Sequence, residues 1–243
     1  MSDKQEKDST SEHSHTVISR IWLWLQSLLY LFTFMLILFL PAGRLDWIAG
    51  WTLFGLFLLA VSLIAIWLRR HDPDLLKERQ TAFQAGNVES WDRALIRGYT
   101  ILLLLMLILA AVDAGRFGWS QVPTVMRAFG WLGLGVAIVI VWWVMAVNTY
   151  LSESVRIQAE RGHQVITTGP YQYVRHPMYF GVIVAVLSVP LALGSWWALV
   201  PAFLIVILFI LRTAMEDRTL MLKLNGYNKY AEQVPYRLLP WIW

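Results

Sequence analysis

The sequence predicts an all-α integral membrane protein, on the strength of its composition and three uninterrupted apolar stretches. Hydrophobic residues make up 58% of the 243 residues, charged residues make up 15%, and the mean hydropathy is +0.54. A helix crosses a bilayer core of about 30 Å with about 20 apolar residues. Residues 21–40, 47–68 and 129–151 reach that length without any Asp, Glu, Lys or Arg. Each is therefore predicted to span the membrane.

Three shorter or interrupted apolar stretches complete the predicted bundle. Residues 94–114 form a fourth span, with Arg97 and Asp113 near its ends, where polar side chains reach the headgroups. Residues 177–211 carry no charge, but Gly194 and Ser195 divide them into two short runs. We predict a tight helical hairpin there, whose arms either span the bilayer or dip into it and return. Counting both arms gives about six transmembrane helices.

The distribution of basic residues predicts the orientation of this bundle. With six spans, one side carries every Lys and Arg except Arg44, Arg116 and Arg127. Because Lys and Arg concentrate in short cytoplasmic loops, both termini and the long polar segments are predicted to be cytoplasmic. The net charge of +4 suits contact with anionic membrane lipids. We expect a bacterial inner-membrane protein whose active site faces the cytoplasm.

Three parts are predicted along the chain. Residues 1–16 are a polar tail that we expect to be disordered. Residues 17–151 hold four transmembrane helices with a cytoplasmic loop at 69–93. Residues 152–243 form the functional core, in which a connector at 152–177 and a C-terminal cap close the cytoplasmic side of the hairpin.

Several chemistries are excluded by what the sequence lacks. Cysteine is absent, which rules out disulfides, thiolate metal ligands and cysteine nucleophiles. No GxGxxG motif, Walker loop or GxSxG elbow is present, and the histidines do not have HExxH spacing. No metal site is expected. No basic and aromatic module outside the membrane is large enough to bind nucleic acid, and the sequence does not indicate an oligomeric state.

Polar residues concentrate where the apolar stretches meet the predicted cytoplasmic face. Residues 162–181, GHQVITTGPYQYVRHPMYFG, separate two of the most apolar parts of the chain. Arg212 and Glu216 lie four residues apart, which places them on one helix face. Taken singly, these features have ordinary interpretations: a snorkelling Arg212 with an exposed glutamate, Arg175 at the membrane boundary, and Pro177 in the first turn of a helix.

In order, however, these motifs resemble the isoprenylcysteine carboxyl methyltransferase (ICMT) family, within a wider group of membrane phospholipid methyltransferases. The matching parts are HQVITTGPYQYVRHPMY at 163–179, the uncharged hairpin, Arg212 with Glu216, and GYNKYAEQVPYRLLP at 226–240. Upstream, DPDLLKER and WDR in the loop at 69–93 also resemble bacterial members.

The resemblance implies a site for S-adenosylmethionine (SAM) that is built without a Rossmann fold at the cytoplasmic edge of the membrane. It implies that Arg212 faces the substrate and that Arg212 and Glu216 carry the catalysis. The implied cofactor-binding residues are Gln158, His163, Gln164, Val165, Ile166, Tyr171, His176, Pro177, Met178, Tyr179 and Glu216. Tyr227, Tyr230 and Pro235 repeat family positions, either as cofactor contacts or as a stiff aromatic cap.

The chemistry of methyl transfer agrees with these residue types. The reaction depends on alignment of the two reactants, and positioning can contribute up to about 7–11 kcal/mol in favourable cases. A carboxylate acceptor arrives ionised, and Arg212 can anchor it by charge-assisted hydrogen bonds. An amine acceptor would need a base, for which Glu216 and His176 are the candidates. We expect a lipophilic acceptor, either an isoprenylcysteine-like or other lipid carboxylate or a phospholipid or amine headgroup.

Two other classes of function remain open from the sequence. One is an NADPH-dependent membrane reductase, because sterol reductases have a similar C-terminal arrangement, although their helix count is larger. The other is a transporter or a scaffold. Transporters place charges on broken helices near the middle of the membrane, whereas the charges of this chain crowd one face.

Overall fold

The described part of the chain, residues 28–81 and 88–243 of a computed structural model, consists of helices joined by irregular segments and contains no strand. The predicted polar tail at 1–16 lies outside these residues, as does the start of the first predicted span. The helices are α1 (Leu28–Ala42), α2 (Ile48–His71), α3 (Pro73–Thr81), α4 (Ser90–Ala110), α5 (Thr124–Val147), α6 (Pro177–Leu193), α7 (Leu199–Lys223) and α8 (Tyr227–Gln233). A π-helical turn, Ala111–Phe117, extends α4.

Within the described ranges, four helices are long and apolar enough to cross a membrane: α2, α4 with its π-helical turn, α5 and α7. This confirms the prediction of an all-α membrane protein, while the count of six spans stays a prediction because α1, as described, and α6 are shorter. The last helix differs from the expected arm, since α7 runs past residue 211 to Lys223. Good helix formers such as Ala214, Met215 and Glu216 continue it. The helix therefore does not end at the first charged residue after the apolar run.

Helices α5 and α6 pack antiparallel at very close range. Gly130 near the start of α5 faces Ala192 near the end of α6, and Gly181 near the start of α6 faces Ile140. A Cβ atom at position 130 would lie 2.3 Å from the backbone nitrogen of Ala192. Small residues allow membrane helices to approach in this way, so the contact fixes the position of α6, whose first turn carries part of the RHPMY motif.

Helices α4 and α7 also run antiparallel, and polar contacts hold both ends of the pair. At one end, the buried carboxylate of Asp113 accepts hydrogen bonds from the Ser120 and Ser195 hydroxyls, each at 2.5 Å. These bonds tie the turn between α6 and α7 to the end of α4. At the other end, Asp92 in the first turn of α4 pairs with Arg212 of α7. The end with Asp92 is the one where most basic residues lie.

We predict that the α5–α6 contact requires glycine at position 130. A Gly130→Ala substitution should lower the free energy of unfolding by about 1–3 kcal/mol, because the added methyl group meets backbone rather than a movable side chain. Gly135→Ala is the matched control, since nothing lies within 4 Å of a Cβ there. The control should be neutral or slightly stabilising, because alanine favours a helix by up to about 1 kcal/mol over glycine. Thermal unfolding in detergent compares the two, and equal midpoints would contradict the prediction.

Candidate active site

A cavity of ≈ 360 Å³ opens at the basic end of the bundle, where α4 begins and α7 ends. Its volume falls in the range of small-molecule sites. The walls come from the connector between α5 and α6, the first turn of α6, the second half of α7, and α8. The residues that line it include Arg79, Tyr99, Asn148, Tyr150, Glu153, His163, Tyr171, His176, Met178, Tyr179, Val182, Phe209, Arg212, Glu216, Leu220, Tyr227 and Tyr230.

Most of the residues singled out from the sequence meet in this cavity. Those that line it are His163, Gln164, Val165, Ile166, Tyr171, His176, Met178, Tyr179, Arg212 and Glu216. Two do not line it. Pro177 is buried as the first residue of α6. Gln158 is fully buried, and its amide donates to the Tyr150 carbonyl at 2.7 Å and accepts from Arg161 at 2.6 Å. Gln158 thus braces the connector behind the cavity wall, and its contact with a cofactor stays a prediction.

Arg212 is held rigidly, with one nitrogen left for a ligand. Its Nε donates to Asp92 at 2.7 Å, and its Nη2 donates to the Glu153 carbonyl at 2.8 Å. The guanidinium carbon lies 5.1 Å from the centre of the Tyr179 ring, within the range of a cation–π contact. Nη1 has no hydrogen-bond partner among the described residues. The snorkelling interpretation of Arg212 is wrong, because this side chain is buried and paired.

Glu216 lies one turn further along α7 and differs from Arg212 in having no ionic partner. Its carboxylate accepts a hydrogen bond from the Tyr179 hydroxyl. No Lys, Arg or His pairs with it in the part of the chain that the structure describes. Tyr179 therefore contacts Arg212 through its ring and Glu216 through its hydroxyl. The cavity therefore contains a cation against the Tyr179 ring and a carboxylate at the Tyr179 hydroxyl.

His163 enters the cavity as a neutral hydrogen-bond donor. Its ring stacks on Tyr150 with centroids 4.7 Å apart, and its Nδ1 faces the backbone N–H of Gln158 at 3.4 Å. If Nδ1 accepts from that N–H, the proton is assigned to Nε2. Burial, together with the nearby Arg161 and Arg156, lowers the pKa of His163 to about 4. The imidazole is therefore uncharged at neutral pH.

Three tyrosines and an asparagine form the wall near α8. Asn148 donates to the Tyr171 hydroxyl at 2.6 Å, and the Tyr230 hydroxyl donates to the Tyr171 carbonyl at 2.7 Å. Burial raises the pKa of the Tyr171, Tyr227 and Tyr230 hydroxyls above the ordinary value. These hydroxyls stay protonated, so this wall offers neutral aromatic surface to a ligand.

Asp217 gathers donors from four parts of the site. It accepts from Arg175 Nε at 2.8 Å and Nη2 at 2.9 Å, from Arg237 at 2.8 Å and from the Tyr227 hydroxyl at 2.8 Å, and it lies 3.3 Å from His176 Nε2. Arg175 is buried in this cluster, so its interpretation as a boundary marker is wrong.

The C-terminal segment is attached to the connector beside this cluster. The backbone N–H groups of Arg175 and His176 donate to the carbonyls of Tyr236 and Arg237, both at 2.9 Å. Arg175 also donates to the Val234 carbonyl at 2.9 Å. The tail therefore packs against the start of α6, which agrees with a cap over the core.

Sequence reasoning did not single out the partners that hold these side chains. Asp92 and Asp217 are both fully buried carboxylates. Arg79 on α3 pairs with Glu153 of the connector at 2.9 Å. Arg79 and Asp92 fall within the DPDLLKER and WDR pieces. The sequence therefore indicated these two motifs, but it did not indicate which of their residues form ion pairs.

Comparison with known proteins identifies the family. Residues 131–222 match the model described as the isoprenylcysteine carboxyl methyltransferase (ICMT) family. The match supports the resemblance of this segment to the ICMT family. The chain is also 24% identical over 182 residues to a protein of Schizosaccharomyces pombe named protein-S-isoprenylcysteine O-methyltransferase, which covers 66% of this chain and 76% of that protein. The chain is thus similar to ICMT-family methyltransferases over these residues, as its motifs predicted.

The ICMT segment and the cavity overlap without coinciding. The segment runs from within α5 to the last turn of α7 and contains the connector, Arg212 and Glu216. Arg79 and Tyr99 precede the segment, and Tyr227 and Tyr230 follow it, yet all four line the cavity. The cavity is therefore completed by residues outside the matched region.

We predict that His163 makes the protein less stable as the pH falls from 6.5 towards 4. The unfolded chain takes up a proton near the ordinary histidine pKa of 6.5, whereas the folded chain does so only near 4. The unfolded state therefore binds more protons in this window, which lowers the free energy of unfolding. His163→Gln should show a smaller drop in unfolding midpoint between pH 7.5 and 5 than the wild type. His71→Gln, at an exposed histidine, should keep the full drop, and identical pH dependence in all three proteins would contradict the prediction.

We also predict that Asp217 contributes more to stability than an equally buried carboxylate without cationic partners. Asp217→Asn leaves Arg175 buried and unpaired, which typically costs about 3–5 kcal/mol. Asp113→Asn is the control, because Asp113 is just as buried but accepts from hydroxyl and backbone N–H groups. Thermal unfolding in detergent should show the larger loss for Asp217→Asn, and the opposite order would contradict the prediction.

Proposed function

We propose that this protein is an integral membrane methyltransferase that uses SAM to methylate the carboxylate of a lipophilic acceptor at the cytoplasmic face of a bacterial inner membrane. One observation carries the proposal. Within a single cavity, Tyr179 contacts the guanidinium of Arg212 through its ring and the carboxylate of Glu216 through its hydroxyl, and Arg212 Nη1 has no hydrogen-bond partner among the described residues. The guanidinium suits an anionic ligand and the carboxylate suits a cationic one.

The residues on the Glu216 side fit SAM. When bound, this cofactor supplies an electrophilic methyl group on a positively charged sulfur. Glu216 would hold its ammonium or ribose hydroxyls, and the neutral His163 would donate a hydrogen bond. Tyr171 and the tyrosines of α8 would provide aromatic surface for the adenine ring. His176 lies 3.3 Å from Asp217, which would hold its ring in position to contact SAM.

The residues on the Arg212 side fit a carboxylate with an apolar chain. An ionised carboxylate is already a nucleophile and needs no base, so positioning by Arg212 is sufficient chemistry. Val182 and Phe209 line the same cavity and offer apolar contacts to a lipid chain. The S. pombe relative is named as an isoprenylcysteine O-methyltransferase, which supports an isoprenylcysteine-like or other lipid carboxylate as the acceptor.

Methylation of a phospholipid or another amine is the second candidate. It is favoured by the absence of an ionic partner for Glu216 among the described residues, since a free carboxylate can accept a proton from an ammonium acceptor. An NADPH-dependent reductase is the third, and the ICMT match disfavours it. Incubating membranes with SAM labelled in its methyl group, followed by lipid extraction and mild alkaline hydrolysis, separates esters from methylamines.

We predict that Glu216→Gln weakens SAM binding roughly tenfold or more. The substitution keeps the shape of the side chain but removes a charge-assisted hydrogen bond, which is worth about 1.5–3 kcal/mol. Isothermal titration of the purified protein with SAM measures the loss. Glu232→Gln, at an exposed glutamate of α8, is the control with the same chemical change and should bind like the wild type.

Two further substitutions extend this test. His176→Asn and Tyr179→Phe should also weaken SAM binding, and NADPH should not bind to the wild type. Unchanged SAM affinity in all three site variants would refute the placement of the cofactor. Binding of NADPH instead of SAM would refute the proposed reaction.

A further inference from the structure

We infer that Arg79 and Arg212 together form the anion subsite of the acceptor, and that the side chain of Glu153 occupies this subsite until a carboxylate replaces it. Arg79 is then the residue that selects acceptors with a carboxylate. The inference rests on the proposed function and adds to it a specificity residue from α3, outside the matched ICMT segment.

Both guanidinium groups converge on Glu153. Arg79 Nη2 donates to its side-chain Oε1 at 2.9 Å, and Arg212 Nη2 donates to its backbone carbonyl at 2.8 Å. The three residues come from α3, α7 and the connector, and all three line the cavity. Because the two arginines contact opposite ends of one residue inside one cavity, we place a single small anion between them.

Donors remain available at this place. Arg79 uses one nitrogen on Glu153, and neither its Nε nor its Nη1 has another partner in the described ranges. Arg212 Nη1 is likewise unused, as is the hydroxyl of Tyr99. An incoming carboxylate can therefore accept from two guanidinium groups and a tyrosine hydroxyl, which is a typical donor set for a planar anion.

The carboxylate of Glu153 can leave at low cost, whereas that of Asp92 cannot. The side chains of Arg79 and Glu153 are 21% and 35% exposed, while Asp92 is completely buried against Arg212. Partly exposed ion pairs contribute little to stability. Exchange of Glu153 for an acceptor carboxylate keeps the charge balance inside the cavity, because the glutamate turns towards water. Asp92 meanwhile keeps Arg212 in position.

An apolar wall adjoins the two arginines. The Tyr99 ring of α4 packs on Phe209 of α7 with centroids 5.2 Å apart, and Val182 of α6 lines the same side. A lipid chain can lie against this wall while its carboxylate meets Arg79 and Arg212. An ammonium headgroup in the same place would face two guanidinium groups, so the subsite selects an anionic acceptor over an amine.

The test uses the purified full-length chain and two probes, an N-acyl-S-farnesylcysteine and its carboxamide. Binding is first measured without SAM, by titration followed through tryptophan fluorescence, and KM and kcat are then measured for methyl transfer. Wild type should bind the carboxylate at least tenfold more tightly than the carboxamide. Arg79→Gln should weaken carboxylate binding 10- to 100-fold and raise KM similarly, with kcat within about threefold of wild type and SAM affinity unchanged.

Two companion variants separate recognition from folding. Glu153→Gln should bind the carboxylate several-fold more tightly than wild type, because the resident competitor has lost its charge. A structural defect would not improve binding. Arg69→Gln, at an exposed arginine of α2 outside the cavity, should leave both constants unchanged.

Equal binding of the two probes by wild type, unchanged carboxylate affinity in Arg79→Gln, or no gain in Glu153→Gln would each overturn the inference. Failure of the wild type to bind SAM would instead overturn the proposed function. The binding assay without cofactor tells these two failures apart.

Discussion

The architecture of the site depends on the pairing of buried guanidinium groups with buried carboxylates at one end of a helical bundle. A charge next to an apolar core is tolerated only when it is paired and hydrogen-bonded. Asp217 shows the principle most fully, because it binds Arg175 from the connector, Arg237 from the tail and Tyr227 from α8. Asp92 does the same for Arg212 by joining α4 to α7. The helices supply the frame, and these pairs determine how the irregular segments fold over it.

Buried carboxylates have different kinds of partner at the two ends of the bundle. At the end with Asp113, hydroxyl and backbone N–H groups satisfy the carboxylate, and the turn between α6 and α7 is closed. At the other end, the ion pairs surround a cavity in which Arg212 Nη1 has no hydrogen-bond partner, and Glu216 no ion-pair partner, among the residues that the structure describes. The first arrangement completes a fold, whereas the second leaves binding capacity for ligands.

The sequence predicted features that depend on neighbouring residues, such as the spans, and it did not predict ion pairs between residues that lie far apart in the chain. Length and hydropathy are local properties, so the spans near α2, α4 and α5 were predicted within a few residues. The spacing of Arg212 and Glu216 predicted their common helix face for the same reason. The partner of Arg212 lies 120 positions away and the partner of Arg175 lies 42 positions away. Such pairs depend on how helices pack, and one sequence without its relatives carries little sign of that. Gln158 was singled out from a motif position, and the structure adds an internal bracing role through Tyr150 and Arg161, while its contact with a cofactor stays a prediction.

Rigid pairing also explains how a cavity with few reactive groups can serve methyl transfer. A reaction limited by alignment benefits most when the residues that position the reactants are ordered before the reactants arrive. Arg212 meets this condition, because Asp92, the Glu153 carbonyl and the Tyr179 ring already fix its guanidinium group. Tyr179 in turn fixes Glu216, so the groups on the two sides of the cavity are positioned against each other through one side chain. We therefore expect a change in the Asp92–Arg212 pair to reach Glu216 as well, through the Tyr179 side chain that contacts both residues.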